Sequence, residues 1–385
     1  MKPFIPSELP ILNVNFEKLI ELVGKANKEL AMYNGILQVM INPHVLLAPL
    51  KTKEAVLSSR IEGTQISLTE LMHYEASEDY DKINNNDALE VLNYRKAMFE
   101  AEEIFKIRPF IHLNMLKTLH SILLNDVRGF NKSRGEFRNI QVYIGSAGCS
   151  IENASYIPPE AQFVLPALTN WENYINGNSQ ETLIQCAIMH AQFEIIHPFL
   201  DGNGRMGRML IPLFLFQKNY ISKPVFYLSE YFESNRQEYY SKLNGITTND
   251  NWDDWIEFFL NAIIKQSDKN ITKAKEIIEL YNNKKQEFIA VTHSEFAMNI
   301  LDALFKKPVI SGNELQQFAG IKSTRTANSI FKKLVDSNLI TLSKSGRGNK
   351  SSIYSFDELI RISEKWLNII IEATLNSLKL VYGYK

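Results

Sequence analysis

The chain has little cysteine, almost no net charge and no long apolar run. Only Cys149 and Cys186 occur in 385 residues, a pattern of reduced thiols rather than a disulfide framework. Lys and Arg number 42 against 43 Asp and Glu, a formal net charge of −1. That balance argues against a protein that binds polyanions over its whole surface, and it leaves room for a local basic patch. No stretch approaches about 18 uninterrupted apolar residues, so no transmembrane helix and no membrane partner are expected. The start, Met1 to Pro10, lacks a basic segment followed by an apolar run, so it does not read as a signal peptide, and the expected location is cytoplasmic. Internal repeats and low-complexity segments are missing too. What remains is an ordinary globular composition, 45% hydrophobic and 22% charged, long enough for two or three domains and a sizeable core.

One stretch concentrates the chemistry: His197-Pro198-Phe199-Leu200-Asp201-Gly202-Asn203-Gly204-Arg205-Met206-Gly207-Arg208. Apolar, helix-like runs flank it, Thr182 to Ile196 before and Met209 to Phe216 after. Pro198 disfavours helix at His197, so the first helix should end there. The glycines permit a tight turn with N–H groups pointing inward. A second helix should begin near Asn203 or Gly204, and its positive N-terminus forms a site for anions, phosphate above all. His197 can take a proton near neutral pH. Asp201 is a hard oxygen ligand suited to Mg²⁺ bridging phosphates. Arg205 and Arg208 lie one helical turn apart and can face the same phosphate chain.

This run resembles, without gaps, the HPFxDGNGRxxR signature of the Fic (Fic/Doc) family. The resemblance implies AMP transfer from ATP to a hydroxyl side chain of a target protein or of the chain itself. By resemblance, His197 would deprotonate that hydroxyl, and Asp201 would hold Mg²⁺ on the α- and β-phosphates. Gly202, Asn203, Gly204, Arg205, Met206, Gly207 and Arg208 would form the ATP phosphate site. A Tyr239–Tyr240 pair follows the signature at a spacing similar to the family's adenine-lining pair, with Tyr240 the first choice for base contact and Tyr239 the second. An upstream run, Ser58-Ser59-Arg60-Ile61-Glu62-Gly63, reads on its own as an exposed i,i+4 pair at a helix end with Gly63 as the stop. It resembles the family's inhibitory (S/T)xxxE(G/N) motif, in which Ser58, Glu62 and Gly63 take part and Glu62 would pair with Arg208. Homodimerisation is expected by the same analogy.

The fold class expected is mainly α: a Fic-type helical core with a β-hairpin flap, plus a small winged helix-turn-helix domain. The expected organisation is a helical region with the inhibitory helix over 1–100, a catalytic core over 101–270, a helical connector over 271–290, a winged-helix domain over 291–360 and a C-terminal helix over 361–385. Leu19, Leu22, Val23 and Ala26 mark the first amphipathic helix. Glu75 to Asp87 reads as a polar loop. Ile140 to Gly145 alternates as a strand, and with the turn at Gly145 to Gly148 it suggests a hairpin ending near Pro158-Pro159. That hairpin is either a structural plug or, by resemblance, a flap that takes up the target segment as an added strand. His190, Glu194 and His197 fall at i, i+4 and i+7, but the turn at Pro198 disfavours a zinc site there. Trp252 to Lys265 reads as the last core helix and Lys265 to Gln286 as a separate one.

In the C-terminal region Thr324 to Asn338 reads as a helix with Ala327, Ile330, Phe331 and Leu334 inward, followed by a β-wing. Over 291–360 nine Lys/Arg face six Asp/Glu, a mild excess that suits DNA or protein docking equally. The run Gly346 to Ser351 ends in Lys-Ser but lacks P-loop spacing. Alternatives to AMP transfer are its removal, transfer of another phosphate-linked group on the same site, and a nucleotide-sensing DNA-binding regulator.

Overall fold

The computed structural model describes residues 2–77, 85–127, 129, 132–145, 148–348 and 350–364. The chain divides into two compact units. One comprises Met1–Gln38, Leu57–Thr64 and Leu89–Asn270; the other comprises Val39–Val56, Gln65–Ala88 and Ile271–Lys385. The units cut across the expected 1–100 region, since 39–56 and 65–88 group with the C-terminal part.

The helices of the first half, in chain order, are α1 (Phe16–Val39), α2 (Pro43–Leu46), α3 (Ala48–Ile61), α4 (Leu68–Ala76), α5 (Asn86–Ile107) and α6 (Leu113–Leu123). They are followed by α7 (Ala161–Asn176), α8 (Thr182–Ile196), α9 (Asn203–Gln217), α10 (Ser229–Ser234), α11 (Arg236–Asn249) and α12 (Trp252–Thr292). The helix α8 is the axis of the first unit. Thirteen of its fifteen residues are buried, which is why its sequence is apolar all round instead of striped. It packs against α7 and α9. The indoles of Trp171 and Trp255 donate to the α8 carbonyls of Met189 and Ala187 at 2.9 and 2.8 Å, so two large rings enter the core without an unsatisfied N–H.

Two expectations fail here. The long helix α12 runs unbroken for 41 residues, where a break near Lys265 was expected. No glycine or proline interrupts it, and just past Lys265 two buried amides brace it: Gln266 Nε2 donates to Asn270 Oδ1 at 2.9 Å and to Glu230 Oε2 at 3.3 Å. The expected hairpin is not a regular ladder. Among the described residues of 139–159 it has a single antiparallel bridge, Ile144 with Tyr156, and a short 3-10 turn at Ile151–Asn153. Residues 146 and 147 of its turn lie outside the described residues. Ser155 and Tyr156 both donate to the one carbonyl of Ile144, and Pro158 and Pro159 have no N–H to extend the pairing.

The second unit contains α13 (Ala297–Lys306), β1 (Val309–Ser311), α14 (Gly312–Phe318), α15 (Thr324–Asp336), β2 (Thr341–Lys344) and β3 (Ile353–Ser355). The strands form one antiparallel sheet in the order β1-β3-β2, with Ile310 opposite Tyr354 and Leu342 opposite Tyr354. The three-residue β1 was too short to read from the sequence. Helix α15 buries the four residues expected, Ala327, Ile330, Phe331 and Leu334. Of the expected C-terminal helix, 361–364 are helical and 365–385 lie outside the described residues, as do 78–84 of the expected polar loop. No described helix is long and apolar enough to cross a membrane.

Candidate active site

The α8–α9 turn places the motif. Helix α8 ends at Ile196, and His197 caps it in the left-handed conformation at φ 48°. A residue other than glycine is strained there, and Arg138 holds the strain in place. Its Nε donates to His197 O at 2.8 Å and its Nη2 to Ile196 O at 3.3 Å, while its backbone N–H reaches Pro198 O at 2.8 Å. A guanidinium thus neutralises the carbonyl end of α8. Sequence reasoning passed over Arg138, since nothing in its neighbours distinguishes it from a solvated loop arginine. The His197 ring is half-buried, with Nδ1 3.3 Å from Glu194 O. Burial holds its pKa down to about 4, with the Arg138 charge acting in the same sense. The imidazole is therefore neutral at pH 7 and able to accept a proton.

The turn itself is braced from inside. Asn203 uses its whole side-chain amide on Phe199: Nδ2 donates to Phe199 O at 2.9 Å and Oδ1 accepts from Phe199 N at 2.8 Å. What it can offer an anion is its backbone N–H, not its side chain. His120 stacks on the Phe199 ring at 3.8 Å. Its Nδ1 accepts from Gly135 N at 2.9 Å, so Nε2 carries the hydrogen and donates to Asp201 O at 3.0 Å. His120 is thus a packed, bonded residue of the turn.

Arg205 turns inward. Its guanidinium is fully buried, 3.2 Å from Glu90 Oε2 and 3.4 Å from Asp201 Oδ1. In this arrangement it braces the turn and does not face an open site. We predict that Arg205→Met destabilises the protein by about 3–5 kcal/mol, because it strips the charge that neutralises a buried carboxylate. Denaturant unfolding checks this, and a loss below about 1 kcal/mol, the range of a surface ion pair, would refute it. Asp201 is partly exposed. Its Oδ1 accepts from Gly202 N at 2.7 Å, and Lys132 Nζ lies 3.3 Å from its Oδ2. Lys132, like Glu90, was not singled out in the sequence.

Gly202, at φ 78°, caps α9, and the first N–H groups of that helix have no intrahelical partner. A carboxylate lies against the first turn of α9, beside Gly204. A Cβ on Gly204 would lie 2.2 Å from Glu62 Oε1 and 2.9 Å from Arg208 Nη1. Glu62 Oε1 accepts from Arg208 Nη2 at 2.7 Å. Ser58 supplies two more acceptors to the same guanidinium, Oγ to Nε and the carbonyl to Nη2, both at 2.9 Å. Glu62 follows the end of α3, and Gly63 turns the chain at φ 101°. Burial by itself would raise the Glu62 carboxyl; the Arg208 charge overrides this and holds it below the usual carboxylate range. Ser58 and Glu62 thus both bond Arg208, and Gly63 turns the chain next to Glu62.

One turn further along α9, a Cβ on Gly207 would lie 2.2 Å from Glu194 Oε1. Burial pushes the Glu194 carboxyl up to about 8, so at pH 7 it is a neutral acid facing the helix backbone. Met206 is buried in the core of the unit. Tyr239 is buried too, stacked on Phe232 at 4.6 Å with its hydroxyl 3.0 Å from His190 Nε2. Tyr240 beside it is 45% exposed, so of the pair it is the ring a ligand can reach. No group of three metal-binding side chains occurs among the described residues, and His190 Nε2 is engaged with the Tyr239 hydroxyl at 3.0 Å.

A model of the Fic/DOC family matches residues 110–215, and one of the Fic/DOC family N-terminal region matches residues 20–103. Protein adenylyltransferase fic-1 of Caenorhabditis briggsae is 25% identical over 177 residues, 43% of this chain and 31% of that protein. A probable protein adenylyltransferase of Aquifex aeolicus is 27% identical over 182 residues, 45% of this chain and 50% of that protein. The matched region thus spans half or less of each relative. A Fic family protein from Desulfovibrio desulfuricans has the same fold, with a TM-score of 0.53 at 19% identity over 92% of this chain and 98% of that one. The ungapped motif on the α8–α9 turn, the two matched regions and the shared fold have one reading: the chain belongs to the Fic/DOC family.

Proposed function

We propose that this chain transfers AMP from ATP to a hydroxyl side chain of a protein, and that Glu62 restrains it. One observation carries the reading. Arg208 on α9 already pairs with one of the chain's own carboxylates, Glu62, which lies against Gly204 in the first turn of that helix. A carboxylate there stands in for a phosphate oxygen group.

In the reaction, neutral His197 takes the proton of the attacking hydroxyl. Its oxygen forms a bond to the α-phosphorus as the bond from that phosphorus to the bridging oxygen breaks, and pyrophosphate leaves. The backbone N–H groups of Asn203 and Gly204 and the Arg208 guanidinium receive the phosphate chain, where Glu62 now lies. Tyr240 offers its exposed ring to the adenine, and Tyr239 supports it from the core. Asp201 fits Mg²⁺: a single, partly exposed carboxylate at the edge of the anion site suits an ion that takes most of its ligands from phosphate and water. When bound, Mg²⁺ neutralises phosphate charge. The segment from Ile140 to Ile144 makes one bridge, and Ile140 and Tyr143 are exposed. A target segment would add alongside it as a strand, displacing the side-chain bonds that Arg138 and Gln141 now give to the carbonyls of Ile140 and Val142. The three-stranded unit is read as a winged helix-turn-helix.

The test uses the Glu62→Gly form with Mg²⁺, a protein pool, and ATP labelled at either the α- or the γ-phosphate. We expect protein-bound label from α-labelled ATP and none from γ-labelled ATP. Label from the γ position would establish phosphate transfer in its place. Release of AMP from pre-labelled protein, faster with Glu62 than without it, would favour AMP removal.

A further inference from the structure

Charge in this chain is unevenly distributed. Residues 321–356 hold seven Lys/Arg (Lys322, Arg325, Lys332, Lys333, Lys344, Arg347 and Lys350) and one acidic residue, Asp336. The other 349 residues therefore carry about −7 of the chain's net −1. The basic stretch coincides with α15, β2, β3 and the turn between the strands. We propose that α15 and this turn form a docking surface for duplex DNA.

The geometry of α15 supports it. Its apolar stripe, Ala327, Ile330, Phe331 and Leu334, is buried. Tyr354 of β3 packs edge-on against Phe331 at 5.4 Å, so the sheet that carries the turn fixes the same helix from behind. The opposite stripe holds Arg325, Asn328, Ser329 and Lys332, at i, i+3, i+4 and i+7, and all four are exposed. Among the described residues none of Lys322, Arg325, Lys332 and Arg347 has a carboxylate partner. A helix of 13 residues is about 20 Å long and enters a major groove. Arg325 and Asn328 are the residue types that read guanine and adenine edges with two hydrogen bonds each; Ser329 reads either. Lys322, Lys332 and, on the turn, Arg347 suit phosphates on either side of the groove. In the turn between the strands, closed by the bridge of Arg347 with Lys350, the described residues 345–348 and 350 are exposed. A protein partner would need apolar anchors in the centre of this face, and the outward stripe of α15 offers none.

The surface is independent of AMP transfer and is tested apart from it. Full-length protein is titrated into a fluorescein-labelled random-sequence duplex of about 30 base pairs, read by anisotropy over a series of salt concentrations. We expect binding that weakens steeply with salt. Arg325→Ala/Lys332→Ala/Arg347→Ala should lose at least about tenfold in affinity and flatten the salt dependence by about one unit of slope for each phosphate contact removed. Lys25→Ala/Lys28→Ala/Lys285→Ala, with the same change in net charge elsewhere, should bind like wild type. His197→Asn should do so too. Absence of binding at low salt overturns the proposal and leaves protein docking. Equal loss in the two triple variants also overturns it, because net charge rather than this surface would then be responsible.

Discussion

Glu62→Gly is expected to raise the initial rate of AMP transfer by about 10- to 100-fold. The Glu62–Arg208 hydrogen bond joins two charged groups in a largely buried setting at 2.7 Å, and such a bond contributes about 1.5–3 kcal/mol. ATP must displace it to place its last phosphate on the same guanidinium, and every 1.4 kcal/mol or so is about a factor of ten. The substitution spares the rest of the site. Glu62 lies beyond the end of α3, and Ser58 keeps both of its bonds to Arg208. Ser58→Ala is the matching control, because it removes one acceptor from Arg208 and leaves the carboxylate over Gly204. Its rate should stay within a few-fold of wild type. Acid does not mimic Glu62→Gly: Arg208 holds the carboxyl below its usual range, so it stays ionised at mildly acidic pH and the restraint persists there. The measurement is incorporation of α-label at saturating Mg²⁺ and at ATP well below half-saturation, where the cost of displacing Glu62 is read directly, with melting temperatures to confirm that each variant is folded. Equal rates in wild type and Glu62→Gly would remove Glu62 as a restraint.

What could be read from the sequence followed from short-range chemistry. Pro198 ends α8 where expected, and the glycines start α9 where expected, because these effects act over one or two residues. The meeting of Glu62 and Arg208, 146 positions apart, was accessible only through family resemblance; no local pattern encodes it. The partners that hold the turn were not legible for the same reason. Arg138, Glu90 and Lys132 look like solvated charges until the fold brings them to His197, Arg205 and Asp201. Misreadings came from treating polarity as exposure. The charged stretch from Lys265 on looked like a separate helix, yet Gln266 and Asn270 bond each other inside the unit and the helix continues. The alternation of Ile140 to Ile144 looked like half of a hairpin, yet alternation cannot say whether a partner strand has N–H groups to give, and here two prolines remove them. Arg205 is the instructive case within the motif. Its spacing from Arg208 places both on one side of α9, but a carboxylate on α5 draws one guanidinium into the core and leaves the other at the anion site.

In the Glu62→Gly background, His197→Asn is expected to lower the transfer rate by about a thousandfold or more, at the upper range of what a positioned general base contributes. Asparagine is the better replacement than alanine here. His197 adopts a left-handed backbone at φ 48°, which asparagine tolerates and alanine resists, so the Arg138 bonds to the α8 carbonyls survive while the base is lost. ATP binding should then remain near that of the parent, since His197 is not among the groups that receive the phosphates. The pH profile separates a base from a merely structural histidine. Burial holds the imidazole down to about 4, so in the free enzyme it stays neutral well below the usual range, and protonation removes activity only as pH falls through that value. The profile of kcat/KM, which reports the free enzyme, should therefore be flat from pH 8 to about 5 in its dependence on this group. An unperturbed histidine near 6.5 would already have lost about nine-tenths of its neutral form at pH 5.5. An acidic limb near 6.5 that disappears in His197→Asn would refute the depressed pKa while keeping the base. A His197→Asn variant as active as its parent would remove the base itself.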